Sequence, residues 1–120
     1  MPLTAKMRFA ADLLKDQVAL VTGGGTGMGR ATALEMAQSG ARLVLLGRRP
    51  EPIADCARLI REAGGEAIAI AGDIRQPEQI EAAMARIRAE FGKLDILVNN
   101  AGGQFVTPAR ELNNKGFETV

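Results

Sequence analysis

Five glycines fall within the seven positions 23–29 of the stretch LVTGGGTGMGRATA, residues 20–33, with an apolar run before them and a helix-like pattern after them. Glycines without Cβ permit a tight turn and a close approach of backbone to a bound group, and the start of a helix offers unpaired N–H donors with a partial positive charge. The chemistry this arrangement suits is the holding of phosphate. Bond-making chemistry has few candidates. The chain contains no His, no Tyr and no Trp, its one serine is Ser39 and its one cysteine is Cys56. A His-dependent triad, a His-ligated metal site and a Tyr acid/base are excluded within these residues, so no catalytic residue and no metal ligand is assigned.

Spacing decides which phosphate motif this is. The phosphate-loop pattern G-x-x-x-x-G-K-[ST] can be laid on residues 24–31, but Arg30 stands where the lysine belongs and Ala31 where the magnesium-binding hydroxyl belongs. A nucleotide triphosphatase is thereby disfavoured. The dinucleotide pattern G-x-G-x-x-G started at Gly25 leaves Gly29 out of step. The pattern T-G-x-x-x-G-x-G fits, with Thr22, Gly23, Gly27 and Gly29. A turn that merely packs a helix close to a strand is the structural alternative.

Two features downstream bear on the ligand. Dinucleotide sites usually carry an Asp or Glu about 20 residues past the glycines, where it holds a ribose 2′-OH. Here that place is Gly47, followed by Arg48 and Arg49, with no carboxylate before Glu51. A guanidinium pairs with a 2′-phosphate that a carboxylate would repel, which favours NADP(H) over NAD(H); solvated loop arginines are the alternative. Asp73, in AGDIR, follows the third apolar run. Its carboxylate can accept from an adenine amino group while Ile74 covers the ring, the alternative being a cap for the helix near Pro77.

The elements that must position these residues are legible as periodicities. Residues 17–22 (QVALVT), 42–46 (RLVLL), 67–71 and 94–98 (LDILV) are short apolar runs that read as strands buried on both faces. Between them lie three amphipathic patterns. Residues 28–39 would turn Met28, Ala31, Leu34 and Met36 or Ala37 inward and stop at Gly40; Ile53, Cys56, Ala57 and Ile60 share a face that ends at Gly64; Ile80, Met84, Ile87 and Phe91 share one that ends at Gly92. Cys56 is thus a core residue. The order βαβαβαβ with short connections predicts an α/β fold of Rossmann type, a doubly wound parallel sheet here truncated to four strands in order 3-2-1-4. The first two helices then lie on one face and the third on the other, with the ligand at the switch point between strands 1 and 4.

Composition narrows the partners. A length of 120 residues, 47% of them hydrophobic and 24% charged, is that of one modest globular domain. A net charge of +1 leaves no basic stripe for nucleic acid or an anionic membrane, and no apolar run is long enough for a bilayer. The single cysteine suits a reducing compartment, and with no signal-like segment the expected location is the cytoplasm.

Taken together, Thr22-Gly23-Gly24-Gly25-Thr26-Gly27-Met28-Gly29, Asp73 and Asn99-Asn100-Ala101-Gly102 resemble the short-chain dehydrogenase/reductase family over residues 17–120. The resemblance implies that Gly23, Gly25, Thr26, Gly27 and Met28 line the pyrophosphate, Arg48 and Arg49 take the 2′-phosphate, Asp73 and Ile74 hold the adenine, and Asn100, Ala101 and Gly102 contact the adjoining ribose. NNAGGQF, KGFETV and LLGRRPE are similar to the 2-enoyl-CoA and 2,4-dienoyl-CoA reductase branch, which implies NADPH-dependent reduction of a carbon–carbon double bond in an acyl-CoA. Alcohol and aldehyde dehydrogenases of the same family are similar in these stretches, and a binding module without redox chemistry is a further alternative.

The family's Tyr-x-x-x-Lys, Ser and Asn would all fall after Val120, so the 120 residues are expected to be inactive alone. Residues 1–15 are expected to form an N-terminal arm and 16–120 an incomplete NADP-binding half-domain that ends within a helix beginning near Asn114, the full-length protein forming a homo-oligomer. Such a chain would leave part of the third helix's sheet face and the fourth strand's edge uncovered, and is expected to be marginally stable or to aggregate.

Overall fold

In a computed structural model the chain is described over residues 9–101 and at Asn114. Seven elements follow in strict alternation: β1 (Val18–Thr22), α1 (Gly27–Gln38), β2 (Arg42–Gly47), α2 (Pro50–Glu62), β3 (Ala67–Ala71), α3 (Pro77–Phe91) and β4 (Ile96–Val98). The strands form one parallel sheet in the order β3-β2-β1-β4. The Rossmann-type order read from the sequence is therefore the order observed.

Alternation along each strand sorts the apolar side chains into two layers. Ala19, Val21, Leu43 and Leu45 point to the side covered by α1 and α2, where they meet Ala33, Ile53, Cys56, Ala57 and Ile60. Val18, Leu20, Val44 and Leu46 point to the other side, where α3 supplies Ala83 and Ile87. Each large aliphatic side chain so buried contributes about 1.5–3 kcal/mol. β1 is buried along its whole length, as a central parallel strand must be. Cys56 is free and fully buried, and burial pushes its thiol pKa up. It serves as a small core side chain.

The inward face of α1 departs from the sequence reading. Gly29 and Ala33 are its buried residues, Leu34, Met36 and Ala37 are half-buried, and Met28 and Ala31 face outward, Met28 with 79% of its surface exposed. The reason is proximity. A Cβ on Gly29 would stand 2.2 Å from the Gly23 carbonyl oxygen, so only small residues fit where α1 crosses the end of β1. On α3, Ala83 and Ile87 are buried while Ile80 and Met84 are 37% and 39% exposed; with Leu97 of β4, 51% exposed, they form an apolar margin on the α3 side.

The two ends of the β1–β4 pair are clamped by side chains. At the lower end the Val18 N–H donates to Asp95 Oδ2 at 2.8 Å while the Asp95 N–H donates to the Val18 carbonyl at 2.9 Å. That N–H bond, with the Lys93 ammonium at 3.1 Å, holds the Asp95 carboxyl below its usual pKa. The upper end is built around Thr22 and forms part of the site.

Candidate nucleotide site at the strand ends

All four strands run the same way, so the segments 23–26, 48–49, 72–76 and 99–101 leave the sheet at one edge. Nearly every residue singled out from the sequence lies on these segments or the first turn of α1. Gly102 lies outside the described residues.

Thr22, buried at the end of β1, joins the first segment to the last. Its Oγ1 accepts from the N–H groups of Asn100 and Ala101, each at 3.0 Å, and donates to the Val98 carbonyl at 3.3 Å. The Asn100 Nδ2 donates to the Gly23 carbonyl at 3.2 Å. Gly23 adopts φ +65° directly against this pair, and a Cβ there would lie 2.9 Å from Asn100 Nδ2. The glycine turn and the Asn-Asn-Ala segment are thus one hydrogen-bonded unit. In the sequence alone Thr22 has no role beyond its place in the motif, because its partners are 76–79 residues away.

The glycines divide into two kinds. Gly24, Gly25 and Gly29 are buried against their own chain: added Cβ atoms would lie 2.9 Å from Leu45, 2.7 Å from Pro52 and 2.2 Å from the Gly23 carbonyl. Gly27 is exposed with φ +54°, and a Cβ on it would meet nothing within 4 Å. Gly27 opens α1, whose N-cap, Thr26, makes no side-chain capping bond and whose first turn carries no acidic residue. Among the described residues the N–H groups of Gly27 and Met28 have no acceptor. Uncovered donors, the positive end of a helix and open space beside them fit an anionic group such as a diphosphate. By contrast α2 and α3 carry Glu51 and Glu78 in their first turns. Thr26 and the Met28 side chain form the exposed rim.

At the ends of β2 and β3 the candidate groups are charged. Arg48 and Arg49 are exposed, and neither makes a hydrogen bond or ion pair with another described residue. Gly72 N–H donates to the Gly47 carbonyl at 2.9 Å, which draws the segment bearing Asp73 alongside the arginines. Asp73 does not cap α3, whose N-cap is Gln76; instead Gln79 Oε1 accepts from the Asp73 N–H at 2.7 Å. The Asp73 carboxylate is engaged by Arg75, whose backbone N–H and Nε reach Oδ1 at 2.9 and 3.3 Å and whose Nη2 reaches Oδ2 at 3.1 Å. These side-chain and backbone bonds, with the nearby Arg48 charge adding to them, hold the Asp73 pKa below its usual range. Ile74 is 39% exposed beside it. Arg75 is not one of the motif residues, although a cation two residues after a loop carboxylate is a readable signal.

The described residues contain no group of three or more His, Cys, Asp and Glu that could hold a metal, and no helix among them is long and apolar enough to cross a membrane.

A parallel sheet in this order, with a glycine turn at the switch point, defines the nucleotide-binding α/β class. The family model for short chain dehydrogenase matches residues 17–120, and the chain belongs to that family. It is 39% identical over 112 residues to a peroxisomal 2,4-dienoyl-CoA reductase [(3E)-enoyl-CoA-producing] of Arabidopsis thaliana and 42% identical over 113 residues to the protein so named from Danio rerio; in each case 93% of this chain matches 38% of the relative. Among solved structures, a citronellol catabolism dehydrogenase of Pseudomonas aeruginosa PAO1 superposes with a TM-score of 0.82 at 43% identity, over 97% of this chain and 47% of that one. L-Sorbose reductase from Gluconobacter frateurii, complexed with NADPH and L-sorbose, gives 0.80 at 32% identity, over 91% and 42%. The chain therefore spans less than half the length of these relatives.

Proposed function

We propose that the chain is the nucleotide-binding half of an NADP(H)-dependent oxidoreductase, with residues 16–120 as the NADP-binding half-domain, residues 1–15 as an arm leading into it, and an enoyl- or dienoyl-CoA double bond as the group reduced. The observation that carries the cofactor reading is the pairing of an uncapped α1 N-terminus, open at Gly27, with two arginines at the end of β2 that have no ion-pair partner among the described residues. The N–H groups of Gly27 and Met28 would hold diphosphate oxygens, with Gly23 and Gly25 shaping the turn behind them and Thr26 at its rim. Arg48 and Arg49 would pair with the 2′-phosphate, Asp73 and Ile74 would take the adenine, and Asn100 and Ala101, with Gly102, the ribose near the nicotinamide. When bound, NADPH supplies a hydride. The residues of this chain hold and orient; with no tyrosine among them, proton transfer by a Tyr is not theirs.

The acyl-CoA reading is supported by the names of the relatives from Arabidopsis thaliana and Danio rerio. A second reading, an alcohol or aldehyde dehydrogenase of the same family, is favoured by the likeness to the citronellol catabolism dehydrogenase. NADPH oxidation by the full-length protein with a dienoyl-CoA, set against a branched aldehyde, separates the two. The cofactor reading is tested by Arg48→Ala. A charge-assisted bond at an exposed site is worth about 1–1.5 kcal/mol after screening, so the variant should bind NADPH about tenfold less tightly and NADH unchanged. Equal affinities for NADPH and NADH in the parent protein would overturn the arginine assignment.

A further inference from the structure

Arg75 lies outside the group of residues that the motifs select, yet it makes the most extensive side-chain contact at the β2–β3 end of the site. Oδ1 of Asp73 accepts two bonds from it, from the backbone N–H at 2.9 Å and from Nε at 3.3 Å, and Oδ2 accepts one, from Nη2 at 3.1 Å. A carboxylate oxygen has two acceptor positions. Oδ1 is therefore filled and Oδ2 retains one. The Asp73 N–H is fixed independently by Gln79 Oε1 at 2.7 Å, so both backbone and carboxylate of Asp73 are held in place. Asp73 has only 19% of its side chain exposed while Arg75 has 46%, which puts the guanidinium on the solvent side of the carboxylate.

We infer that Arg75 is a positioning residue for base recognition: it fixes the Asp73 carboxylate so that a single acceptor position on Oδ2 faces the nucleotide, and it offsets the carboxylate's charge beside Arg48. This rests on the proposed role of Asp73 at the adenine. One acceptor matches one N–H of a 6-amino group. It disfavours a base with a carbonyl at that carbon, whose oxygen would meet the carboxylate acceptor to acceptor. Without the Arg75 side chain Oδ1 keeps only the backbone N–H and Oδ2 loses its partner, so the carboxylate can twist about that one bond and Oδ2 can take solvent, and the selection for an amino group weakens.

The test compares the dissociation constants of NADPH and of its hypoxanthine analogue, which differs at that position, for the parent protein and for Arg75→Ala, Arg75→Lys and Asp73→Asn. The parent should prefer NADPH by about tenfold or more, as expected for a hydrogen bond to a charged acceptor. Arg75→Ala should reduce that ratio to within about threefold, and Arg75→Lys, which cannot engage both oxygens at once, should fall between. A purely structural contribution lowers both affinities together and cancels in the ratio, so a poorly folded alanine variant is replaced by the lysine variant in the same measurement. A ratio unchanged in both Arg75 variants, with a parent that discriminates and an Asp73→Asn variant that does not, overturns the role of Arg75 and leaves that of Asp73. So does an Arg75→Ala variant that loses NADPH and the analogue equally while its preference over NADH falls, since Arg75 would then be a phosphate ligand. A parent with no preference between the bases overturns the Asp73 reading itself.

Discussion

Replacing Thr22 by valine keeps shape and removes one oxygen, which isolates what the hydroxyl does at the join between the glycine turn and the Asn-Asn-Ala segment. Three bonds are lost, and they are unequal. The Ala101 N–H has Oγ1 as its one acceptor among the described residues, at 3.0 Å, so it is left half-buried without a partner. The Asn100 N–H is shared between Oγ1 at 3.0 Å and the Val98 carbonyl at 3.1 Å, and keeps the second. The hydroxyl's own donation to Val98 spans 3.3 Å and is weak. An orphaned amide costs about 1–3 kcal/mol and a partial bond about 0.5 kcal/mol, while the added methyl returns a few tenths, for a net loss of about 2 kcal/mol. Thr22→Ser keeps the oxygen and deletes a methyl group, at a cost of about 0.8 kcal/mol. Urea denaturation should rank the parent above serine above valine, and hydrogen exchange at the Ala101 amide should accelerate in the valine variant only. If serine proves costlier than valine, Thr22 is held by packing of its methyl, and the account of the join is wrong.

The glycines of the turn should separate by substitution to alanine. Gly29→Ala forces a Cβ to 2.2 Å from a carbonyl and 2.5 Å from Asn100 Nδ2, an overpacking that should cost about 3 kcal/mol and disrupt the Asn100–Gly23 bond, read as a lower denaturation midpoint. Gly27→Ala meets open space and carries only the penalty of φ +54°, about 1 kcal/mol, yet should weaken NADPH binding more than it weakens the fold; equal losses of stability in the two variants would contradict this division. Asp95 makes a prediction about pH. Its pKa in the folded chain lies below the ordinary value of 3.8, so the stability it contributes is present above pH 3.8 and lost as pH falls through the folded value. Asp95→Asn should flatten the stability profile of the protein below pH 3.8, and a profile as steep as the parent's would show that the Val18 clamp does not depend on charge.

What the sequence disclosed followed from how much of each signal is local. β2 and β3 are apolar runs closed by glycine, and a buried parallel strand has no other pattern to show, so the runs 42–46 and 67–71 match the strands to within a residue. β4 begins two residues later than the run LDILV suggests, because Leu94 lies before the ladder and Asp95 meets Val18 through both its N–H and its carboxylate, so that a side chain takes the Val18 N–H at the strand's start. For α1 the periodicity of large side chains pointed the wrong way. Size correlates with burial only where there is room, and at the crossing of α1 over β1 there is none, so Gly29 and Ala33 go inside while Met28 goes out. Small residues four apart at the start of a helix that follows a glycine turn were the available sign. Thr22 and Asn100 were visible as motif letters but not as partners, because a bond across 78 residues has no signature in a single sequence.

The charges around the strand ends bear on how the proposed site would accommodate a phosphate beside a carboxylate. An isolated Asp73 would oppose any anion bound at Arg48; two unit charges 4 Å apart repel by about 1 kcal/mol in water and about 4 kcal/mol near a protein surface. Arg75 covers both Asp73 oxygens, so the pair presents almost no net charge, and the field at the β2 end is left to Arg48 and Arg49. The carboxylate then acts through direction rather than charge. At the other end of the site the same separation is made without ions. Thr22 and Asn100 consume the polar groups that face the interior, and the N–H groups at the start of α1 remain for what lies outside. Inward groups are paired within the chain and outward groups are left over, and that leftover set, an uncapped helix end beside two arginines with no ion-pair partner among the described residues, is the set on which the proposed NADP(H) reading rests.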